Sequence, residues 1–298
     1  MSRSVLPFFL LLGLASLGFV VAFVRDLVRV RREEGKAAIR PTPYELFVGA
    51  LTDFLDTLGI GSFATTSSLY RLRGTVADEL LPGTMNVGHT LPTVTQALIY
   101  VVLVAVDRWT LALLVGAATL GGTLGAGVVT RFSRRGVRLG MGVALLLAAG
   151  LLLVRIAHAG PSGGDALGLE GASLVVGALA CFVFGALMTI GVGAYAPILV
   201  TVSLLGMDPT AAFPIMMGAC AFVMPAASSR FVARRRYAPR AALGLTLGGV
   251  PAVLVAAFVV RSLPLDALEG LVLAVVLYTS LSLLRAAREP DEPRTDRV

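Results

Sequence analysis

The feature that leaves this chain the fewest options is the length of its apolar runs. From Val5 to Val24 no residue carries a charge. A helix over such a run spans the ~30 Å hydrocarbon core of a bilayer at 1.5 Å per residue. Further apolar segments cover residues 44–70, 80–106, 110–130, 139–157, 174–202, 211–229, 241–260 and 267–284. Only 14% of the 298 residues are charged, where a soluble domain carries about a quarter. The expected fold class is therefore all-α, a polytopic membrane protein whose first partner is the lipid bilayer.

Arg3 before the first run raises the possibility of a signal peptide, but "RDLVRVRREEGKAAIR" follows at once as a basic stop. The first segment is read as an uncleaved helix ending in the cytoplasm. The net charge of +7 comes from arginines in short loops between the runs. That placement fits orientation in a membrane better than nucleic-acid binding. Two cysteines, Cys181 and Cys220, and two histidines are too few for a disulfide framework or a metal cluster, and no motif implies a cofactor.

The chain repeats itself. A shift of 132 residues lays "TLGIGSFA" (57–64) over "TIGVGAYA" (189–196), Gly74 over Gly206, Pro82 over Pro214 and Met85 over Met217. Four units follow: a first helix with a basic linker (1–43), two homologous halves (44–157 and 174–284) and a polar C-terminal tail (285–298).

Loop charges choose between two topologies. If every segment crosses the membrane, 17 of the 25 Lys and Arg residues lie inside and eight outside. If 44–70 and 174–202 instead dip in and return at their Gly-rich breaks, each half has three spans and the halves are inverted. The count becomes 21 inside and four outside, as the positive-inside rule favours. From Tyr44 to Gly59 a helix reaches roughly 22 Å, a little past the middle of the bilayer. Broken segments in matching positions of inverted halves are the sequence mark of a secondary transporter with a central site.

Breaks at membrane depth leave backbone N–H groups unpaired, and the half-helix that resumes presents its positive end. The expected donors to an anion are the backbone at Gly59, Gly61, Gly191 and Gly193, with Ser62, Thr65 and Asn86. Asp53 and Asp56 share a face of the first half-helix. An aspartate at that depth costs about 2.5–3.5 kcal/mol, so it has a task or a partner. They are the candidates for proton or cation coupling, with His89 as a relay, because an unperturbed imidazole titrates near neutrality. The rival for these carboxylates is a plain hydrogen bond to a nearby hydroxyl or to Arg71.

"FVGALTDFLDTLGIGSFATTSSLYRLRG" followed by "PGTMNVGHTLPTVTQAL" resembles the sulfite exporter TauE/SafE family, the four-toluene sulfonate uptake permeases. The resemblance covers roughly residues 44–284; where the family has GIGGG, this chain has "GIGSFA". It implies a permease for a small organosulfur compound or sulfur oxyanion, such as sulfite, a sulfonate or thiosulfate. It also implies two inverted halves with short helices meeting centrally. The expectation is a multi-pass transporter of the inner (plasma) membrane with a cytoplasmic C-terminus, not an enzyme. A passive anion channel, a non-transporting scaffold and an intramembrane enzyme are the alternatives. For the last, Asp53 and Asp56 lie on adjacent turns of one helix and lack an opposing partner across a cleft.

Overall fold

The computed structural model describes residues 6–77, 79–124, 135, 136, 139, 142, 143, 145, 146, 149, 150, 153, 164–188, 194–262 and 265–288. Among these there is no β-strand, only a single bridge between Ala166 and Met207. The helices are α1 (Leu6–Glu34), α2 (Pro43–Thr57), α3 (Ser62–Leu72), α4 (Leu81–Leu103) and α5 (Arg108–Leu124), then α6 (Gly171–Met188), α7 (Tyr195–Leu204), α8 (Ala212–Ala233), α9 (Pro239–Ser262) and α10 (Leu265–Ala286). Among the described residues four helices are long and apolar enough to cross a membrane: Phe8–Glu34, Gly171–Met188, Pro209–Ala233 and Pro239–Val259.

Helix α1 extends ten residues beyond the apolar run that announced it, to Glu34. Charged side chains do not stop a helix; Gly35 does, at φ 90°. The added turns pin α1 to the second half. Tyr237 Oη donates to Asp26 Oδ2 at 2.5 Å, and Arg235 pairs with Glu33 at 3.0 Å. Deeper in, the rings of Phe8 and Phe222 lie 5.2 Å apart. The opposite face of α1 carries exposed Leu10, Leu11, Leu14 and Leu17. Water would not tolerate such a continuous apolar surface on a monomer.

The segment 44–70 is two helices folded back on each other. Thr42 and Glu45 start α2 with a reciprocal capping box, and Pro43 takes the first turn. Gly59 ends it: the Gly59 amide donates to Asp56 O at 2.8 Å and the Ile60 amide to Leu55 O at 3.1 Å. This pair of bonds requires a left-handed residue, and Gly59 supplies it at φ 94°. Gly61, at φ 84°, completes the reversal. The arms then close at their far ends, where Tyr44 Oη donates to Leu69 O at 2.7 Å and Arg73 covers the Tyr44 ring at 4.2 Å.

A second hairpin is formed by α6 and α7. Residues 189–193 between them lie outside the described residues, but the arms close as the first pair does. The Asp208 amide donates to Ala166 O at 2.9 Å, beside the Ala166–Met207 bridge.

The two hairpins open at opposite ends of α4. The first opens beside the starts of α4 and α9: Arg240 pairs with Glu45 at 3.0 Å, and the Ala238 amide donates to Thr84 Oγ1 at 2.9 Å. The second opens at the end of α4 and the start of α5. There the Asp107 amide donates to Leu167 O at 2.7 Å, and the Leu169 amide to Thr110 Oγ1 at 3.0 Å. Helices α4 and α8 run antiparallel through the centre, tied by Thr90–Ser228 and by the stacked rings of Tyr100 and Phe213.

Small residues let each hairpin approach a long helix at backbone distance, as they do between membrane helices. A Cβ on Gly248 of α9 would lie 2.1 Å from Leu46 O of α2. On the other side a Cβ on Gly121 of α5 would lie 1.8 Å from Phe182 O of α6.

Pro92 and Pro225 lie inside helices α4 and α8. Pro92 has no N–H for the Gly88 carbonyl. Thr246 of α9 donates to that carbonyl instead, at 2.8 Å. A proline defect thus becomes a contact between helices.

Polar side chains are buried in the interior while large apolar ones face outward. Glu45, Asp53, Thr57, Thr66, His89 and Gln96 are all fully buried, while Val102, Leu120, Leu179 and Phe258 are exposed.

Candidate functional site

Three helices bring a buried polar chain together at the closed end of the first hairpin. Asp53 lies one turn before the end of α2 and faces α4. Its Oδ1 accepts from His89 Nδ1 at 2.8 Å. The other imidazole nitrogen, Nε2, lies 2.9 Å from Thr66 Oγ1 of α3. With the proton on Nδ1, Nε2 accepts from the Thr66 hydroxyl; in the imidazolium it donates. Carboxylate, imidazole and hydroxyl therefore form one line across three helices.

Among the described residues Asp53 Oδ2 has no hydrogen-bond partner. It rests against α9, where a Cβ on Gly249 would fall 1.9 Å away. Only glycine leaves room for the carboxylate at this crossing.

Asp56 is one turn nearer the tip and fully engaged. Its Oδ1 accepts from the Ser62 backbone N–H at 2.6 Å, and its Oδ2 from Gln96 Nε2 at 3.0 Å. The carboxylate thus occupies the positive end of α3, where anions are stabilised. Gln96 also donates to Thr57 Oγ1 at 3.0 Å and accepts from Tyr195 Oη at 2.7 Å. Tyr195 is the first residue of α7, so the second hairpin reaches the same point from the other end.

The expected site residues divide into three groups. Asp53, Asp56 and His89 are brought together, and the aspartates' bonding partners are His89, Gln96 and the Ser62 amide. Asp53 does have an opposing partner: His89, from α4. Gly59, Gly61 and Ser62 form the tip itself; a Cβ on Gly61 would meet nothing within 4 Å. The Ser62 amide, expected to await an anion, is taken by Asp56.

Thr65 and Asn86 bond within their own helices: Thr65 Oγ1 to Ser62 O at 2.9 Å and Asn86 Nδ2 to Pro82 O at 2.8 Å. Asn86 lies about 15 Å along α4 from Gln96 at 1.5 Å per residue, away from the tip. Gly191 and Gly193 lie outside the described residues.

Thr57, Gln96 and Gly249 belong to the constellation but were not expected from the sequence. A helical stripe on α4 was the available signal for one of them. His89, Thr93, Gln96 and Tyr100 follow at +4, +7 and +11, one face of a helix.

Among the described residues no cluster of three metal-ligating side chains occurs. Comparison with family profiles, with curated proteins and with solved structures gives no match for this chain.

Proposed function

We propose that the protein is a secondary transporter of a small anion in the inner (plasma) membrane, with a cytoplasmic C-terminus and two inverted halves. The observation that carries this reading is the meeting of two hairpins, opening at opposite ends of α4, at a buried cluster of two carboxylates and one imidazole. Helix pairing supports the inverted arrangement. Exchanging the halves turns the α2–α9 contact into α6–α5 and the α4–α9 contact into α8–α5, and all four occur. On this reading α2–α3 is re-entrant from the cytoplasm and α6–α7 from outside.

The substrate class follows from the TauE/SafE resemblance and from the site: a sulfur oxyanion or sulfonate, bound at the positive end of α3 beside Gly61. Asp56 already holds that place. The anion therefore enters when Asp56 carries a proton, and proton and anion cross together. Asp53, His89 and Thr66 form a path by which that proton travels, since imidazole exchanges protons near neutral pH. A passive channel would share the cradle but gain nothing from a proton gradient.

The test is uptake of radiolabelled sulfite, thiosulfate and a small sulfonate into proteoliposomes, with and without an imposed pH gradient. Accumulation of one of them driven by the gradient, and lost in Asp56→Asn, is the expected result. Gradient-independent flux that survives Asp56→Asn would favour the channel.

A further inference from the structure

Gln96 sits deep in α4, is fully buried, and has both amide hydrogens and its carbonyl oxygen engaged. Both Nε2 hydrogens point to the first hairpin, at Asp56 Oδ2 and Thr57 Oγ1. Its Oε1 accepts from Tyr195 in the second hairpin. Asp56 meets donors on both oxygens, the arrangement of a carboxylate that only accepts.

A proton placed on Asp56 Oδ2 sets two donors, O–H and Nε2–H, against each other. A half-turn of the amide relieves the conflict. Oε1 then accepts from Asp56, and Nε2 swings to Tyr195, whose hydroxyl must accept instead of donate. We infer that Gln96 is the positioning residue that carries the protonation state of Asp56 from the first hairpin to the second. The inference rests on the transporter reading for its purpose, although the exchange of hydrogen bonds does not.

The groups that surround Asp56 fit this role. Asp53 lies one turn earlier on the same helix, and His89 faces both carboxylates from α4. Helix α7 contributes Tyr195, whose hydroxyl also faces Asp56 and Thr93, and α8 contributes the buried thiol of Cys220. Helix α3 offers the Ser62 amide, with its Arg71 at the far end. Arg240 of α9 is committed to Glu45 at the opposite end of α2. Gln96 is thus the neutral group hydrogen-bonded to both the acidic cluster and the second hairpin. On amide rotation Asp56 and Tyr195 exchange roles, and the Thr57 hydroxyl, which donates to Asp53 O at 2.7 Å, turns to donate to Oε1.

The test is an acid titration of the full-length protein in lipid, followed by infrared difference spectroscopy with ring-labelled tyrosine. The carboxyl signal is assigned by its loss in Asp56→Asn and the tyrosine signal by its loss in Tyr195→Phe. In the wild type the two signals should change with one midpoint. In Gln96→Met, close in volume but without an amide, the carboxyl should still titrate while Tyr195 stays silent. A Tyr195 signal that follows Asp56 in Gln96→Met, or that is absent in the wild type, would overturn the inference.

Should Gln96→Met not fold, solid-state NMR of wild-type protein with labelled glutamine amides decides. The Nε2–Tyr195 contact must strengthen on acidification, and an unchanged contact counts against the switch. Proteoliposome uptake of labelled sulfite and thiosulfate reads the transport role separately. Loss of a charge-assisted hydrogen bond predicts that Gln96→Met lowers gradient-driven accumulation by about tenfold while leaving exchange. No uptake by the wild type would count against the transporter reading and leave the spectroscopic result standing.

Discussion

Replacing Gly249 by alanine tests the geometry of the buried pair with one methyl group. The added Cβ would lie 1.9 Å from Asp53 Oδ2, 2.7 Å from Asp53 Cγ and 2.7 Å from Pro92 Cγ. Helix α9 cannot retreat freely, because Gly248 one residue earlier is already at backbone distance from α2. The carboxylate must therefore swing away and leave His89. Overpacking costs about 1–3 kcal/mol, and losing a hydrogen bond to a charged group about 1.5–3 kcal/mol. Gly249→Ala should thus destabilise by about 2.5–6 kcal/mol, measured by equilibrium unfolding in mixed micelles. A double-mutant cycle isolates the cause. In an Asp53→Ala background the nearest clash vanishes, Pro92 Cγ at 2.7 Å remains, and the cost should fall to about 1 kcal/mol. An equal penalty in both backgrounds would refute this account of the crossing, as would a Gly249→Ala protein as stable as the wild type.

Three further expectations follow from other parts of the structure. Thr246→Val leaves the Gly88 carbonyl without the partner that Pro92 cannot supply, at a cost of about 1–3 kcal/mol; Thr246→Ser should restore most of it in the same unfolding assay. Asp107 caps α5, and the Thr110 backbone N–H holds its carboxyl below the usual carboxylate range. A lowered folded value stabilises above the unfolded pKa of about 3.9 and fades as the pH falls below it. Asp107→Ala should therefore cost about 1 kcal/mol near neutrality and progressively less in acid, read from melting curves across pH. Single cysteines at Arg135 and Asp165 should react with an impermeant reagent from the cytoplasmic and the outer side respectively; labelling of both from one side would contradict the inverted arrangement.

How much of this was legible in the sequence depended on whether a feature is local. The glycines at 59 and 61 announce a reversal because the required positive φ excludes most other residues, and both adopt it. The start of α2 was not singled out, although Thr42, Pro43 and Glu45 are a local signature. The end of α1 was misplaced because hydropathy marks where the membrane ends, whereas the helix continues until Gly35 stops it.

The partners of the aspartates are a tertiary matter. Asp53 could be foreseen as costly, but its place against Gly249 depends on how α9 crosses α2. Gln96 was overlooked because the site residues taken from its helix, Asn86 and His89, were not followed along the stripe that continues from His89 to Gln96. Asn86 was expected at the tip from its polarity alone, yet its position along α4 holds it away. The seat of Asp56 on the Ser62 amide joins two features that the sequence had shown separately, an acidic side chain and a free helix end.

The central claim is that the tip of the first hairpin binds a small anion in competition with Asp56. Thermal stability of the purified protein, measured against sulfite, thiosulfate, a sulfonate, sulfate, acetate and chloride at several pH values, tests it most directly. A ligand at a hundred times its Kd adds about 2.7 kcal/mol to the folded state. The account predicts stabilisation by a sulfur oxyanion or sulfonate that is larger in acid, is lost in Gly61→Leu, and no longer depends on pH in Asp56→Asn. No stabilisation by any of these anions at any pH, in protein that melts cooperatively, would contradict it.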